Sequence, residues 1–206
     1  MENDVEIKKR ILDTAREQFC SLGFTKVTID EIASKIGMSK KTIYKYFPSK
    51  DDLVRETTET TLHEVELCCK SIVENTNLDI VEKLRQMMTH AALHISKMGK
   101  PLIEDLEKNA PQIWKQIADF RFKRINEDFG KLLQEGVHKG IFRNDIDQQL
   151  ILLIYNNVIK NIISPEVLSQ LPFTATQVYE TIVKVIFEGI LTETGRKHKL
   201  TPIKGK

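Results

Sequence analysis

Residues 38–50 read Met-Ser-Lys-Lys-Thr-Ile-Tyr-Lys-Tyr-Phe-Pro-Ser-Lys, a stretch with four lysines, two tyrosines and no acidic residue. The whole chain of 206 residues is nearly balanced in charge, with 31 Lys and Arg against 29 Asp and Glu. Residues 1–50 hold 10 basic and 7 acidic side chains, whereas residues 51–206 hold 21 and 22. The positive charge is therefore local to the N-terminal quarter, which is typical of an electrostatic contact with nucleic acid.

Two short helices joined by a glycine turn are predicted around this stretch. Thr28 and Glu31 have the spacing of a capping box that starts the first helix, and Gly37 ends it. Ser39 caps the second helix and Pro48 stops it. Apolar residues recur at helical spacing on both helices, at Ile29, Ile32, Ala33, Ile36, Ile43 and Phe47. Packed on the amphipathic helix that precedes them, these two helices predict a helix-turn-helix.

The outer face of the second helix, opposite its apolar positions at about 100° per residue, is predicted to contact DNA. Lys40 and Lys41 lie in the first turn, where a lysine can donate to guanine and the Thr42 methyl can contact thymine. The two tyrosines and Lys50 are placed to hold phosphates. The predicted DNA-binding residues are Thr28, Ser39, Lys40, Lys41, Thr42, Tyr44, Lys45, Tyr46 and Lys50. A solvated helix face is the alternative, but it does not account for the capping box, the small Ala33 and the glycine turn together.

Several motifs within residues 7–53 match a known pattern. They are A-x-x-x-F and G-F at 15–24, T-I-D-E-I-A-x-x-I-G at 28–37, and S-x-x-T-I-Y-x-Y-F-x-S-K-x-x-L at 39–53. A weaker match, K-G-I-F-R-N-D, lies downstream at 139–145. These residues closely resemble the TetR family of transcriptional regulators. The resemblance implies an all-helical homodimer that binds a palindromic operator, usually as a repressor, and that has a ligand pocket in its C-terminal domain.

The resemblance also implies contact with double-stranded DNA at seven of the residues predicted above. By motif position these are Thr28, Lys40, Lys41, Thr42, Tyr44, Tyr46 and Lys50. Position 41 is often glycine in the family, so Lys41 can change how the helix approaches the groove or which base it prefers.

Helical periodicity continues through the rest of the chain, and no segment shows the strict alternation of a strand. The predicted helices span residues 50–73, 79–98, 101–109, 111–139, 145–163 and 174–194. We therefore predict an all-α fold, in which an N-terminal three-helix domain is joined by a continuous helix to a larger helical domain. The predicted boundaries are 1–49 for the DNA-binding domain, 50–194 for the regulatory and dimerisation domain, and 195–206 for a basic, disordered tail.

Two C-terminal helices are predicted to be apolar on nearly all sides, which requires a packing partner on each side. One side can pack in the domain core, and the resemblance implies that the other packs on a second copy of the chain. The predicted dimer-interface residues are Tyr155, Val158, Ile159, Ile162, Ile182, Val183, Ile186, Phe187 and Ile190. The alternative is that these are simply buried central helices.

Methionine and aromatic side chains in the C-terminal part suit an adaptable apolar pocket. The candidate pocket residues are Leu84, Met87, Met88, Ala91, His94, Trp114, Phe120, Tyr155 and Asn156. At helical spacing such residues are also what an ordinary core would contain, so both interpretations stay open.

Other chemistry is not indicated by the sequence. Three cysteines, of which Cys68 and Cys69 are adjacent, do not form a disulfide framework and fit a reducing cytoplasm. His90 and His94 have a spacing that can hold a metal on a helix, but no third ligand is identifiable. Catalytic motifs, an apolar signal segment and a membrane-length apolar run are not found. We predict no enzyme activity, no cofactor, no metal site and no membrane contact, in a cytoplasmic protein.

Three functions remain as hypotheses. The first is a dimeric repressor released from its operator by a small hydrophobic effector. The second is a DNA-binding subunit controlled by a protein partner, and the third is a helical binding protein or enzyme with an incidental basic helix. Sedimentation separates the first two, and replacing the two lysines of the first turn tests the third.

Overall fold

A computed structural model of the protein describes residues 3–197, which form two compact units. The first unit consists of the residues up to Val65 together with Lys97–Ile117. The second consists of Glu66–Ser96 together with the residues from Ala118 onward.

The described residues are almost entirely helical. The helices are α1 (Asp4–Leu22), α2 (Ile29–Ile36), α3 (Lys40–Tyr46), α4 (Lys50–Glu74), α5 (Ile80–Lys97), α6 (Lys100–Asn109), α7 (Pro111–Arg124), α8 (Gly130–His138), α9 (Gln148–Ile162), α10 (Pro165–Ser169), α11 (Ala175–Ile190) and α12 (Glu193–Lys197). No strand occurs within residues 3–197, where Phe142 and Leu191 form an isolated antiparallel bridge. The all-α prediction is confirmed. None of the described helices is long and apolar enough to cross a membrane.

Most of the predicted helices are confirmed, and three details are corrected. The helix predicted over 111–139 contains a π-helical turn at Ile125–Phe129, which separates α7 from α8. The short helix α10 is absent from the predicted set, because five residues are too few to show a period. The helix predicted over 174–194 ends at Ile190, and α12 follows it.

The first unit is built around the residues that position α3. Its core contains Ile11, Phe19, Val27, Ile32, Ile43, Phe47 and Leu53, all with at most 3% of their surface exposed. Burying one side chain of this size contributes about 1.5–3 kcal/mol. The N-terminal three-helix arrangement therefore has a continuous apolar core of its own.

Helix α6 packs on α1 within this unit, which the sequence does not indicate. A Cβ atom on Gly99, at the start of α6, would lie 2.3 Å from the backbone oxygen of Cys20, so only glycine fits this approach. The buried carboxylate of Asp105 accepts hydrogen bonds from the Thr25 amide at 2.6 Å and from the Asn109 side chain at 2.7 Å. Residues 97–117 thus complete the unit that holds the helix-turn-helix.

The second unit has an aromatic centre. The Phe129 ring lies 5.4 Å from the Tyr155 ring and 5.3 Å from the Phe187 ring, measured between centroids. Gly136 lets α8 approach the chain beyond it, because a Cβ there would lie 2.1 Å from the Phe142 ring.

The predicted tail begins at Gly195, and its first three residues are not disordered. They belong to α12, in which Gly195 is buried and its amide donates to the Thr192 hydroxyl at 3.0 Å. A Cβ at Gly195 would lie 2.3 Å from the backbone oxygen of Ile141, so the close packing here depends on glycine. The rest of the predicted tail, residues 198–206, lies outside the described residues.

Candidate functional site

The turn between α2 and α3 has the predicted geometry. Gly37 takes a left-handed conformation with φ 69°, which glycine adopts without steric cost. The Thr28 hydroxyl accepts from the Glu31 amide at 3.2 Å, while the Glu31 carboxylate accepts from the Thr28 amide at 2.7 Å. The Glu31 carboxylate accepts from the amide and also from the hydroxyl of Thr28, and these two hydrogen bonds lower the pKa of Glu31. Ser39 caps α3 by accepting from the Thr42 amide at 3.1 Å.

Helix α3 divides into an inner and an outer face, as its spacing predicts. Ile43 and Phe47 have 0% and 1% of their surface exposed. The predicted DNA-binding residues lie outside this core and fall into two groups. Thr28, Ser39, Lys40, Lys41, Tyr44 and Lys45 are exposed, and Thr42, Tyr46 and Lys50 are half-buried.

Acidic residues from α1 and the start of α2 hold several of these side chains. Lys40 forms an ion pair of 2.9 Å with Asp30, and the Asp30 hydrogen bond raises the pKa of Lys40. The Tyr46 hydroxyl donates to Asp4 at 2.5 Å, and Lys45 lies 3.7 Å from the same carboxylate. The hydrogen bond from Tyr46, followed by the charge of Lys45, lowers the pKa of Asp4.

The sequence did not predict these acidic partners, since Asp4 lies at the start of α1, 42 positions before Tyr46. A basic surface whose donors have carboxylate partners can exchange them for phosphate oxygens, which are also negatively charged hydrogen-bond acceptors. Lys50 donates to the Thr25 backbone oxygen at 3.1 Å, and Lys41 makes no hydrogen bond or ion pair within residues 3–197. Of the two lysines in the first turn of α3, Lys41 can therefore contact DNA without first giving up a carboxylate partner.

The predicted dimer-interface residues are divided by the structure. Six of them are buried in the core of the second unit, namely Tyr155, Ile159, Ile182, Val183, Phe187 and Ile190. Their contact with a second chain stays a prediction, and within one chain these side chains pack in its own core. Val158, Ile162 and Ile186 are half-buried at the edge of that core. The exposed apolar side chains of α9 and α11 are instead Leu150, Leu153, Ile154 and Val185, each at least 53% exposed.

The candidate pocket residues also fall into different places. Leu84, Met88, Tyr155 and Asn156 are buried in the second unit, and Met87 and Ala91 pack at the edge of its core. His94 and Phe120 are half-buried. Trp114 packs with the apolar core of the first unit, apart from the buried candidates of the second unit, and the pocket itself stays a prediction.

The histidine pair and the cysteines have defined surroundings in the described residues. The rings of His90 and His94 lie 4.6 Å apart, and no group of three potential ligands occurs among residues 3–197. Burial raises the pKa of Cys69 to about 11, which keeps it a thiol. The cytoplasmic location stays a prediction.

Comparisons with known proteins agree with this architecture. The model of the family "Bacterial regulatory proteins, tetR family" matches residues 11–57. The chain is 30% identical to the uncharacterized HTH-type transcriptional regulator YvaF of Bacillus subtilis over 90% of this chain and 96% of that protein.

Two solved structures share the fold. One is the regulator FadR of Bacillus subtilis in complex with stearoyl-CoA, at 19% identity and a TM-score of 0.62, covering 88% of this chain and 98% of that one. The other is a regulator of Saccharomonospora viridis in complex with choline, at 19% identity and a TM-score of 0.65, covering 92% of this chain and 100% of that one. The chain belongs to the tetR family of bacterial regulatory proteins and is a DNA-binding transcriptional regulator.

Proposed function

We propose that this protein is a homodimeric repressor that binds a palindromic operator and leaves it when a small hydrophobic ligand binds the second unit. The observation that carries the proposal is the outer face of α3, which presents basic and hydroxyl side chains around a buried Ile43 and Phe47. Such a helix fits the major groove of DNA.

Each predicted DNA contact has a role in this proposal. Lys40 and Lys41 reach base edges from the first turn of α3, and the Thr42 methyl group contacts thymine. Tyr44, Tyr46 and Lys50 hold phosphates, together with the capping residues Thr28 and Ser39 and the exposed Lys45. Phosphate contacts fix the position of the helix, and base contacts select the sequence.

The second copy of the chain is proposed to cover the exposed apolar surface of α9 and α11. Leu150, Leu153 and Ile154 lie on α9, and Val185 lies on α11. All four are more than half exposed, so a single chain leaves their apolar surface in water. In a two-fold dimer the two α3 helices would meet successive major grooves, about 34–36 Å apart.

Ligand control is proposed for the second unit because the two solved neighbours hold small molecules. Helices α4 and α7 each contribute residues to both units. A ligand that shifts these helices would therefore change the position of α3 in each protomer. The proposal requires that the ligand binds the DNA-free form more tightly than the DNA-bound form.

The test is selection from a pool of random DNA duplexes at near-physiological salt. Enrichment of an inverted repeat supports the proposal, and retention without enrichment, lost as salt rises, contradicts it. The variant Lys40→Ala/Lys41→Ala is expected to bind the enriched duplex at least about tenfold more weakly. The control Lys100→Ala/Lys108→Ala removes the same charge from α6 and is expected to bind normally. A monomer in sedimentation would instead favour control by a protein partner.

A further inference from the structure

Two arginines, Arg121 and Arg124, lie about one helical turn apart in α7 and differ in their partners within the second unit. Arg124 has three carboxylate partners: Asp128 at 3.4 Å, Glu66 at 3.5 Å and the adjacent Glu127. Arg121 has no ion pair and no hydrogen bond with any of residues 3–197. Within the described part of the chain, one of these arginines is therefore paired with carboxylates and the other has no counter-charge.

Arg121 is partly enclosed by protein and partly exposed to solvent. Burial lowers the pKa of its guanidinium, so protein atoms surround the group, yet the residue is only half-buried and solvent still reaches it. It is close enough to the Tyr155 hydroxyl for their charges to interact. No residue of α7 is fully buried, and the neighbouring Phe120 is a half-buried aromatic. The side chains of α7 that face the second unit are thus partly exposed rather than enclosed in its core.

A second donor without an acceptor among residues 3–197 belongs to the pair of Tyr155 and Tyr179, of which Tyr155 interacts electrostatically with Arg121. The hydroxyls of Tyr155 and Tyr179 are 3.1 Å apart, and both residues are at most 6% exposed. Burial raises the pKa of Tyr155 to about 12 and that of Tyr179 well above its usual range, so both hydroxyls keep their protons at neutral pH. The pair can donate only one of its two protons internally, and the other finds no acceptor within residues 3–197. Buried donors of this kind normally have a partner.

The rest of this surface is apolar. Phe129 packs against Tyr155 and Phe187, and the core around them contains Met88 and Leu84. A molecule that fits such surroundings needs an apolar body and one acceptor-rich, negatively charged group. Water could accept the tyrosine proton, but it would leave the charge of Arg121 uncompensated.

We propose that the second unit binds an amphiphilic anion whose carboxylate or phosphate is held by Arg121 and the Tyr155–Tyr179 hydroxyl pair. This inference rests on the proposed ligand control and specifies the class of ligand. The solved neighbours cannot decide it, because choline is a cation and stearoyl-CoA is an anion. The unpaired guanidinium excludes the cation by repulsion and selects the anion.

The test compares two fluorescent probes that differ in one charged group. Anilinonaphthalene sulfonate carries a sulfonate, and N-phenylnaphthylamine is the same molecule without it. The full chain, free of DNA, is expected to bind the sulfonate at least about tenfold more tightly, since a hydrogen bond to a charged group contributes that much. Arg121→Gln should remove this preference and leave binding of the neutral probe unchanged. The control Lys123→Gln removes the same charge from an exposed position of α7 and should keep the preference.

Equal binding of both probes by the native chain, or a preference that survives Arg121→Gln, overturns the inference. Should Arg121→Gln fail to fold, the double variant Tyr155→Phe/Tyr179→Phe provides the second test, because it deletes both hydroxyls, and with them the spare proton, at almost constant volume and should weaken binding of the sulfonate only. Displacement of the bound sulfonate by decanoate or by decyl phosphate, and not by decanol, identifies the anionic group as carboxylate or phosphate. Displacement by decanol alone contradicts the inference.

These measurements are made without DNA, so they are independent of operator binding. A chain that shows the charge preference but selects no DNA sequence would contradict the proposed function alone. A chain that selects an inverted repeat but has no charge preference would contradict this inference alone.

Discussion

The surface around α3 in the first unit and the surroundings of Arg121 in the second unit differ in whether their charged side chains have partners. On α3, Lys40, Lys45 and Tyr46 are accessible to water, and each nevertheless has an acidic partner from another helix. In the second unit Arg121 is surrounded by protein and has no partner within the described residues. An exposed charge is already solvated, so its partner can be exchanged at little cost, whereas a buried charge without a partner lowers stability. The first arrangement suits release and recapture of DNA, and the second suits capture of a ligand.

Arg124→Met is the largest test of this difference, because it removes a buried charge that has partners. The substitution leaves Asp128, which is 5% exposed, without its counter-charge, together with Glu66 and Glu127. The free energy of unfolding is expected to fall by about 3 kcal/mol. Urea unfolding followed by circular dichroism measures it. Lys123→Met, an exposed neighbour on α7, should change stability little, and an equal loss in both variants would contradict the prediction.

Asp105→Asn tests, in the first unit, the cost of depriving buried donors of their acceptor. The free energy of unfolding is expected to fall by about 2 kcal/mol. Both oxygens of the Asp105 carboxylate accept hydrogen bonds from Thr25 and Asn109. In the variant an NH2 group replaces one of these oxygens, so at least one of the two residues would lose its acceptor. The free energy of unfolding of the native chain and of the variant, compared at neutral pH, measures the cost. A variant as stable as the native chain would show that the α6–Thr25 contact contributes nothing.

The difference in stability between the native chain and Asp105→Asn is expected to depend on pH, and the sign of this dependence follows from the pKa of Asp105. Burial raises the pKa of Asp105, but the hydrogen bonds from the Thr25 amide and Asn109 lower it more, so the folded-state pKa lies below the ordinary value. A lowered pKa means that the stabilisation is complete above the unfolded-state pKa of about 4 and is lost as pH falls through the folded-state pKa. The stability difference between native chain and variant should therefore be constant from pH 7 to about 5 and shrink in more acidic solution. A difference that grows below about pH 4 would contradict this assignment.

Arg121→Met should change stability in the opposite direction to Arg124→Met. It replaces an unpaired, half-buried charge with an apolar side chain of similar length, and the free energy of unfolding is expected to rise by about 1 kcal/mol in the absence of ligand. Urea unfolding of both variants under identical conditions is the measurement. A loss of stability similar to that of Arg124→Met would show that Arg121 has a structural partner, and the contrast within α7 would disappear.

The same contrast explains what the sequence could predict. The elements of the helix-turn-helix are contiguous, so capping residues, a turn glycine and an apolar period within residues 28–50 were enough to predict its helices and its outer face. Arg121, Tyr155 and Tyr179 lie on three different helices, and no spacing rule connects them. The dimer residues stay a prediction for a related reason, since helical periodicity shows that α9 and α11 are apolar on two sides but not which side faces their own core. The packing of Asp105 on Thr25 joins residues 80 positions apart and has no local signal either.

The smallest expected effect concerns the exchange of partners on α3, which Asp30→Asn tests. This substitution frees Lys40 from its 2.9 Å ion pair and removes a negative charge from the surface that would face DNA. Affinity for the selected duplex is expected to rise by about two- to fivefold, since exposed ion pairs contribute little. Fluorescence anisotropy at several salt concentrations measures it, and the gain should shrink as salt screens the charges.

Glu104→Gln is the matched control for this experiment, because it breaks an exposed ion pair with Lys100 on α6 and changes the net charge by the same amount. If both variants gained equally, the cause would be the total charge of the protein rather than the release of Lys40. If Asp30→Asn weakened binding instead, Asp30 would be fixing the first-turn lysine in the orientation that DNA requires. The acidic partners of α3 would then be part of the recognition surface, and the exposed pairs of the first unit would be no easier to exchange than the buried pairs of Arg124.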